Sequence, residues 1–203
     1  MQDYEGWLTD PTIMKADTQN YLAADPLTRG AFRGKYSVLA TSGTTGEPMP
    51  MIRDEHRNLI HGAMLKLRFL REDILGDLLD IRKHRFAAII TDAPKASAYN
   101  SFLRMCAAVP GFEKNIICVP IRLSVEEKIE ILNDFQPEVL SCYPSEMALM
   151  ATQQRKGLLK ISPKVIVCSA EKLSPEVYQT LKETFNCPII NNYCMTEGGE
   201  IAF

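Results

Sequence analysis

The stretch KVIVCSAEKLSPEVYQTLKETF, residues 164–185, decides the fold class of this sequence. It opens with Lys164–Cys168, a run rich in β-branched residues that is typical of a buried strand. Ser174 and Pro175 then begin a predicted helix, with proline at its first position, which extends to about Phe185. A strand followed directly by a helix is the repeating unit of a parallel sheet.

The same strand–helix unit recurs along the chain from about residue 86. Further strands are predicted at Phe86–Thr91, Asn115–Val119, Glu138–Cys142 and Pro188–Tyr193. Helices are predicted at Ser101–Val109, Lys128–Asp134 and Glu146–Lys156, and upstream at Asp54–Leu70 and Ile74–Arg85. Continuous apolar strands that alternate with helices predict an α/β fold, a parallel sheet with helices on both faces. Ligands of such sheets bind beyond the carboxyl ends of the strands, so the loops there are the candidate site.

Composition excludes several classes of protein. The 203 residues, 46% of them apolar and 24% charged, suffice for one sizeable globular domain. The formal charge of −2 gives no electrostatic case for nucleic-acid binding. Apolar runs reach only about five residues, whereas a membrane span needs about 20. Six cysteines without a C-x-x-C pair, and an N-terminus without a signal peptide, favour a reduced cytoplasmic protein.

A loop rich in glycine and hydroxyl groups follows the apolar run at residues 38–40. Thr41-Ser42-Gly43-Thr44-Thr45-Gly46 combines two glycines with four hydroxyl side chains. Glycines let backbone N–H groups turn toward an anion, and hydroxyls add further donors, so the loop is a candidate polyphosphate cradle. An ordinary Ser/Thr/Gly surface loop is the alternative. No Gly-Lys-Ser/Thr follows Gly46, which excludes a Walker loop.

Three segments, in this order, carry a resemblance to a known family. Thr41-Ser42-Gly43-Thr44-Thr45-Gly46-Glu47-Pro48 resembles the phosphate loop of the adenylate-forming superfamily, which includes acyl-CoA synthetases, peptide-synthetase adenylation domains and luciferases. Ser169-Ala170-Glu171-Lys172-Leu173 resembles its adenine segment. Asn191-Asn192-Tyr193-Cys194-Met195-Thr196-Glu197 resembles its Asn-x-Tyr-Gly-x-Thr-Glu motif. Within the superfamily, the sequence is most similar to the phenylacetate–CoA ligase-like branch with its capsule-biosynthesis and coenzyme F390 synthetase relatives, in which the lysine after the phosphate loop is commonly missing, as at Met49 here.

The resemblance implies a role for each of these residues. Thr41 and the loop Ser42, Gly43, Thr44, Thr45 and Gly46 would hold the β- and γ-phosphates of ATP. Tyr193 would stack on adenine, Asn191 would bind its amino group beside Asn192, and the backbone of Ser169, Ala170 and Glu171 would line the other side. Thr196 would contact the α-phosphate and Glu197 would bind Mg²⁺, a cation that prefers carboxylate oxygen. Thr196 and Glu197 are therefore the candidate catalytic residues.

The resemblance also implies a domain boundary. We expect residues 1–203 to form a partial AMP-binding N-terminal domain, with the C-terminal lid domain and its lysine missing from the sequence. On that expectation, the chain by itself would show little adenylation activity. Cys194 stands where the family has glycine, which places a side chain close to the ligand.

The leading functional hypothesis is ATP-dependent activation of an aryl or acyl carboxylate to an acyl-adenylate, followed by thioester formation with CoA or a carrier thiol. A non-catalytic nucleotide-binding or interaction module is the alternative, favoured by Cys194. In a third hypothesis Cys194 carries the acyl group itself, as in an acyl-protein synthetase. The expected partners are ATP, Mg²⁺ and a small carboxylate, with no nucleic acid or membrane, and a homodimer is compatible with the sequence.

Overall fold

The computed structural model describes residues 8, 10–28, 30–41, 48–64, 81–94, 96–108, 111–196 and 199–202. The described helices are Lys15–Ala24 (α1), Glu55–Met64 (α2), Ser97–Ala108 (α3), Val125–Phe135 (α4), Pro144–Arg155 (α5) and Pro175–Phe185 (α6). The described strands are Ser37–Ala40 (β1), Pro50–Arg53 (β2), Phe86–Ile90 (β3), Ile116–Pro120 (β4), Val139–Cys142 (β5), Val165–Ser169 (β6), Ile189–Met195 (β7) and Gly199–Ala202 (β8). Short 3₁₀ turns cover Ile81–Lys83 and Phe112–Lys114.

A six-stranded sheet forms the centre of the molecule, in the order β4-β3-β5-β6-β7-β8. The first five strands run parallel, which confirms the predicted α/β class. β8 is antiparallel to β7 and adds an edge strand that the sequence did not predict. The chain adds β4 on one side of β3 and then returns to place β5 on the other, so the strand order reverses at β3.

Helices cover both faces of this sheet. One face packs against α4, α5 and α6 through a core that includes Leu132, Met147 and Leu181, each fully buried. The other face packs against α3, where Phe102 shares a buried apolar cluster with Ala88 and Ile90 of β3. The two apolar faces explain why the strands read as continuous apolar runs in the sequence.

The segment before the sheet forms a smaller unit. β1 and β2 make an antiparallel pair, with Ala40 opposite Pro50. Their core includes Ile13 and Val38. Arg104 of α3 joins this unit to the sheet by donating to the carbonyl oxygen of Val38 at 3.3 Å.

Sequence and structure agree on most helix ends. Ser124 and Glu127 form the reciprocal capping box, with Ser124 N donating to Glu127 Oε2 at 2.8 Å. Ser174 caps α6 by accepting from Val177 N at 3.3 Å. The predicted helix Ile74–Arg85 is wrong at its described end, because Ile81–Lys83 is a 3₁₀ turn that leads into β3. Residues 65–80, which contain the rest of this prediction and the end of Asp54–Leu70, lie outside the described residues.

Candidate functional site

The first motif leaves the β1–β2 pair at Thr41. Thr41 N donates to the carbonyl oxygen of Met49 at 3.0 Å, and Met49 N donates to Thr41 Oγ1 at 2.9 Å. This reciprocal pair closes the base of the intervening loop. The predicted phosphate-binding residues Ser42, Gly43, Thr44, Thr45 and Gly46 lie outside the described residues.

The second motif begins at the carboxyl end of β6. Ser169 is the last residue of that strand, and Ala170 then adopts a left-handed φ of 66°. A residue with a Cβ rarely occupies this region, so the turn is held by its surroundings. One such contact comes from Glu171, whose Oε2 accepts from Ser145 N at 3.0 Å at the start of α5. The Glu171 carboxylate therefore binds a helix N-terminus and shapes the backbone that leaves β6.

Most of the third motif lies within β7, because this strand continues to Met195, two residues past its predicted end at Tyr193. Asn191, Tyr193 and Met195 alternate along β7 as exposed residues, and the Tyr193 side chain is 59% exposed. The apolar run in this strand ends at Ile190, and the residues after it alternate between exposed and half-buried positions. Hydrogen bonding to β8, with a bulge at Tyr193 and Cys194, extends the strand to Met195.

Strand pairing brings the second and third motifs together. β6 and β7 are parallel neighbours, with Ser169 opposite Asn192. Asn192 Oδ1 is buried and has no hydrogen-bond partner in the described part of the chain. Cys194 is half-buried between two exposed neighbours. The exposed ring of Tyr193 thus lies on β7, the strand next to β6. The turn that follows β6 is held by the hydrogen bond of Glu171.

Two further contacts tie Thr196 to the first motif. Arg53, at the end of β2, donates from Nη2 to the carbonyl oxygen of Thr196 at 2.6 Å. The Thr196 hydroxyl donates to Ser97 Oγ at 3.3 Å at the start of α3. Ala96, the residue before Ser97, forms a parallel bridge with Ala40, directly before Thr41. We call Thr41, Ser169–Glu171 and Asn191–Thr196, together with Arg53 and Ser97, the motif cluster.

The sequence reasoning missed Arg53 and Ser97. Arg53 lies 143 positions from Thr196, and Ser97 lies 99 positions from it. No local spacing could reveal contacts at such separations. Glu197, the predicted Mg²⁺ ligand, lies outside the described residues. Among the residues described, no group of three or more His, Cys, Asp or Glu side chains could hold a metal ion.

The electrostatics of the strand ends disfavour a thiol nucleophile. Burial raises the pKa of Cys168 to about 12 and that of Cys142 well above its usual range. Both thiols therefore stay protonated and pack as small apolar groups. Near them, the hydrogen bond from Arg122 lowers the pKa of Asp92 at the carboxyl end of β3.

An open groove of about 740 Å³ lies at the opposite end of the β1–β2 pair. Its lining includes Lys35, Ser37, Asp54, Asn58 and Arg104. Its charges are of both signs, and none of the motif residues lines it. The groove is therefore separate from the motif cluster.

The sequence model described as "AMP-binding enzyme" matches residues 36–203, most of the chain. The chain belongs to the AMP-binding enzyme family. No curated protein sequence matches it in a separate comparison.

Several solved structures of other proteins share its fold. The N-terminal subdomain of Klebsiella oxytoca NpsA is 17% identical with a TM-score of 0.56, over 81% of this chain and 39% of that protein. A malonyl-CoA ligase in a ternary product complex with methylmalonyl-CoA and AMP is 18% identical with a TM-score of 0.53, over 80% of this chain and 33% of the ligase. The anthranilate CoA ligase AuaEII, in complex with anthranoyl-AMP, is 16% identical with a TM-score of 0.53, over 81% of this chain and 32% of the ligase.

The chain therefore spans between 32% and 39% of the length of these neighbours. At such low identities the likeness shows the fold alone. The described part of this AMP-binding chain contains no helix long and apolar enough to cross a membrane.

Proposed function

We propose that this chain forms the nucleotide-binding part of a ligase that activates a carboxylic acid with ATP. The observation that carries the proposal is the pairing of β6 with β7, which sets Ser169 opposite Asn192 beside the exposed ring of Tyr193. An exposed aromatic face next to a turn of fixed backbone suits a planar base. Aromatic side chains bind bases by stacking without needing a particular base sequence.

Each residue of the motif cluster has a proposed role at this nucleotide. Tyr193 stacks on adenine, Asn191 and Asn192 offer amide groups to its edge, and the backbone of Ser169, Ala170 and Glu171 lines its other side. Thr196 contacts the α-phosphate. Thr41 anchors the loop in which Ser42, Gly43, Thr44, Thr45 and Gly46 hold the outer phosphates.

Glu197 would hold Mg²⁺, which would supply neutralisation of the phosphate charge. The chain's own residues orient the nucleotide. Within the motif cluster, the hydroxyl of Thr196 and the amide groups of Asn191 and Asn192 are donors that suit phosphate oxygens and a base edge. These roles of Thr196 and Glu197 as catalytic residues are part of the proposal.

The proposed reaction has two steps. A carboxylate oxygen of the acid attacks the α-phosphorus of ATP, and the bond to pyrophosphate breaks, which gives an acyl-adenylate. A thiol of CoA or of a carrier protein then attacks the acyl carbon, loses its proton and releases AMP. The first step depends on in-line positioning and charge neutralisation, so it needs no thiol nucleophile from the chain.

Two sequence features bear on the family branch and on the cellular compartment. Met49 in place of the phosphate-loop lysine supports the phenylacetate–CoA ligase-like branch. All six cysteines are free thiols, which favours a reducing compartment such as the cytoplasm.

A non-catalytic nucleotide-binding module is the second candidate function. The half-buried side chain of Cys194 favours it, because the family has glycine at that position and the added atoms narrow the space beside Tyr193. The two candidates differ in whether an acid binds next to the nucleotide.

Acyl-adenylate mimics separate these candidates without requiring turnover. We would titrate the chain by calorimetry with AMP and with acylsulfamoyl adenosines that carry aryl or aliphatic acyl groups. Acid activation predicts that at least one mimic binds at least tenfold more tightly than AMP, because the acyl group adds contacts. Equal affinity for AMP and for every mimic would favour the non-catalytic module. Absence of binding to all of them would contradict both functions.

A further inference from the structure

Arg53 is a buried arginine at the end of β2, a strand of four residues. Its exposed fraction is 9%. Arginine is rarely buried unless its guanidinium is satisfied by acceptors. Here Nη2 donates to the carbonyl oxygen of Thr196 at 2.6 Å, a short charge-assisted hydrogen bond.

The accepting carbonyl group belongs to the backbone of the third motif, so its orientation affects the geometry of that motif. The Thr196 carbonyl belongs to the peptide unit that joins Thr196 to Glu197, and a peptide unit is planar. A donor that holds this oxygen therefore restrains the backbone at Thr196, the last described residue of the third motif. The Thr196 hydroxyl is held separately by Ser97 at 3.3 Å.

The strand that carries Arg53 also anchors the first motif. β2 pairs with β1 from Ser37 opposite Arg53 to Ala40 opposite Pro50. Thr41 and Met49 close the loop beyond that end. Arg53 thus connects the hairpin of the phosphate loop to the Thr-Glu motif across 143 positions of sequence.

We propose that Arg53 is a positioning residue that sets the Thr196 carbonyl group relative to the β1–β2 pair. This inference rests on the proposed function, in which the motif cluster binds a nucleotide. Arg53 acts through the Thr196 carbonyl and holds in register the two segments between which the phosphates lie. The planar guanidinium is needed because a lysine ammonium is a more flexible, strongly hydrated point charge.

The test compares Arg53→Met and Arg53→Lys with a matched control, Arg57→Met, which changes an exposed arginine of α2. Each folded variant is titrated by calorimetry with Mg·ATP and with adenosine, which has the base but no phosphates. Hydrogen exchange of residues 193–196 and 199–202 is measured without ligand. Thermal unfolding reports any loss of fold.

Arg53→Met is expected to weaken Mg·ATP binding about tenfold, since hydrogen bonds to charged groups contribute this much or more. Adenosine affinity should change less than about twofold, because the base contacts of Tyr193 and Asn191 remain. Arg53→Lys should restore part of the Mg·ATP affinity. Exchange should rise in residues 193–196 and 199–202 in both Arg53 variants, while Arg57→Met leaves all of these readouts unchanged.

If an Arg53 variant lost equal affinity for Mg·ATP and for adenosine, the inference would be overturned, because such a result would indicate a general structural role. Unchanged exchange in a folded Arg53 variant would overturn it as well. If Arg53→Met does not fold, Arg53→Lys carries the same comparison. Failure of the wild-type chain to bind any nucleotide would instead contradict the proposed function, and the nucleotide role of Arg53 with it.

Discussion

The interior of the sheet and the motif cluster are built from different kinds of contact. β3, β5 and β6 bury nearly every side chain between two layers of helices. In the motif cluster, individual hydrogen bonds hold groups near the surface: Arg53 donates to the Thr196 carbonyl oxygen, and the Thr196 hydroxyl donates to Ser97 Oγ. The Glu171 carboxylate accepts from the backbone N–H of Ser145. Burial of apolar area stabilises the first region, and directional contacts set the geometry of the second. Substitutions in the two regions should therefore separate stability from ligand binding.

The largest effect is expected at a buried ion pair between α4 and α5. Lys128 Nζ lies 2.7 Å from Glu146 Oε1, and the Lys128 side chain is only 4% exposed. Lys128→Met leaves the Glu146 carboxylate without its partner, so the free energy of unfolding should fall by about 3–5 kcal/mol. Urea unfolding of the variant measures this change.

The double variant Lys128→Met/Glu146→Leu is the control for that prediction. Removing both charges avoids the uncompensated carboxylate, so its stability should be much closer to wild type than that of Lys128→Met. A double variant that loses at least as much stability as the single one would show that the pair is held by packing and not by charge.

A somewhat smaller effect is expected in the apolar core. Leu140 of β5 is fully buried, and Leu140→Ala should lower the free energy of unfolding by about 2–5 kcal/mol through lost burial and a cavity. Leu149→Ala on α5, where the side chain is 37% exposed, should cost about 0.5 kcal/mol or less. Nucleotide affinity of the folded Leu140 variant should not change, and a large change would show that core and motif cluster are coupled.

The difference between the sheet interior and the motif cluster also determines how much of the structure could be predicted from the sequence. β3, β5 and β6 were found because apolar runs with β-branched residues mark strands buried on both faces. The helix start at Ser174 was found because capping is a local signal. β8, which pairs antiparallel with β7, was missed, since its four residues include only two consecutive apolar ones, too few for a strand pattern.

The motif cluster was predictable only where a motif carries its own pattern. Residues at Ser169–Glu171 and Asn191–Thr196 were identified by resemblance, and strand order then places them side by side. Arg53 and Ser97 could not be identified, because their relation to Thr196 arises only when distant segments meet. The left-handed φ of Ala170 also has no sequence signal, because alanine does not favour that conformation.

A further effect, smaller and dependent on pH, is expected at the amino end of the sheet. Burial opposes the charged form of Glu138, but hydrogen bonds from Lys164, the Arg85 backbone and His84 outweigh it. Together they lower the pKa of Glu138 from 4.5 to about 2. Because the folded pKa is depressed, Glu138 contributes its stability above pH 4.5 and loses it as the pH falls toward 2.

Glu138→Gln should therefore lower the free energy of unfolding by about 1–3 kcal/mol at pH 7. The difference from wild type should shrink as the pH falls from 4.5 toward 2. Urea unfolding across this pH range measures the difference in free energy of unfolding between the variant and wild type. Glu130→Gln, on the exposed side of α4, is the control. If that difference in free energy did not change with pH, the ionised carboxylate of Glu138 would not be the source of the stability.

Calorimetric titration with Mg·ATP of the wild-type chain, Tyr193→Ala and Tyr178→Ala tests most directly whether the motif cluster binds a nucleotide. Both substitutions remove an exposed tyrosine, at 59% for Tyr193 on β7 and 41% for Tyr178 on α6. The account predicts that Tyr193→Ala weakens binding by about 1–3 kcal/mol, the contribution of stacking between a base and an aromatic ring. Tyr178→Ala should bind like wild type. Equal affinity of all three proteins, or a loss confined to Tyr178→Ala, would contradict the nucleotide site.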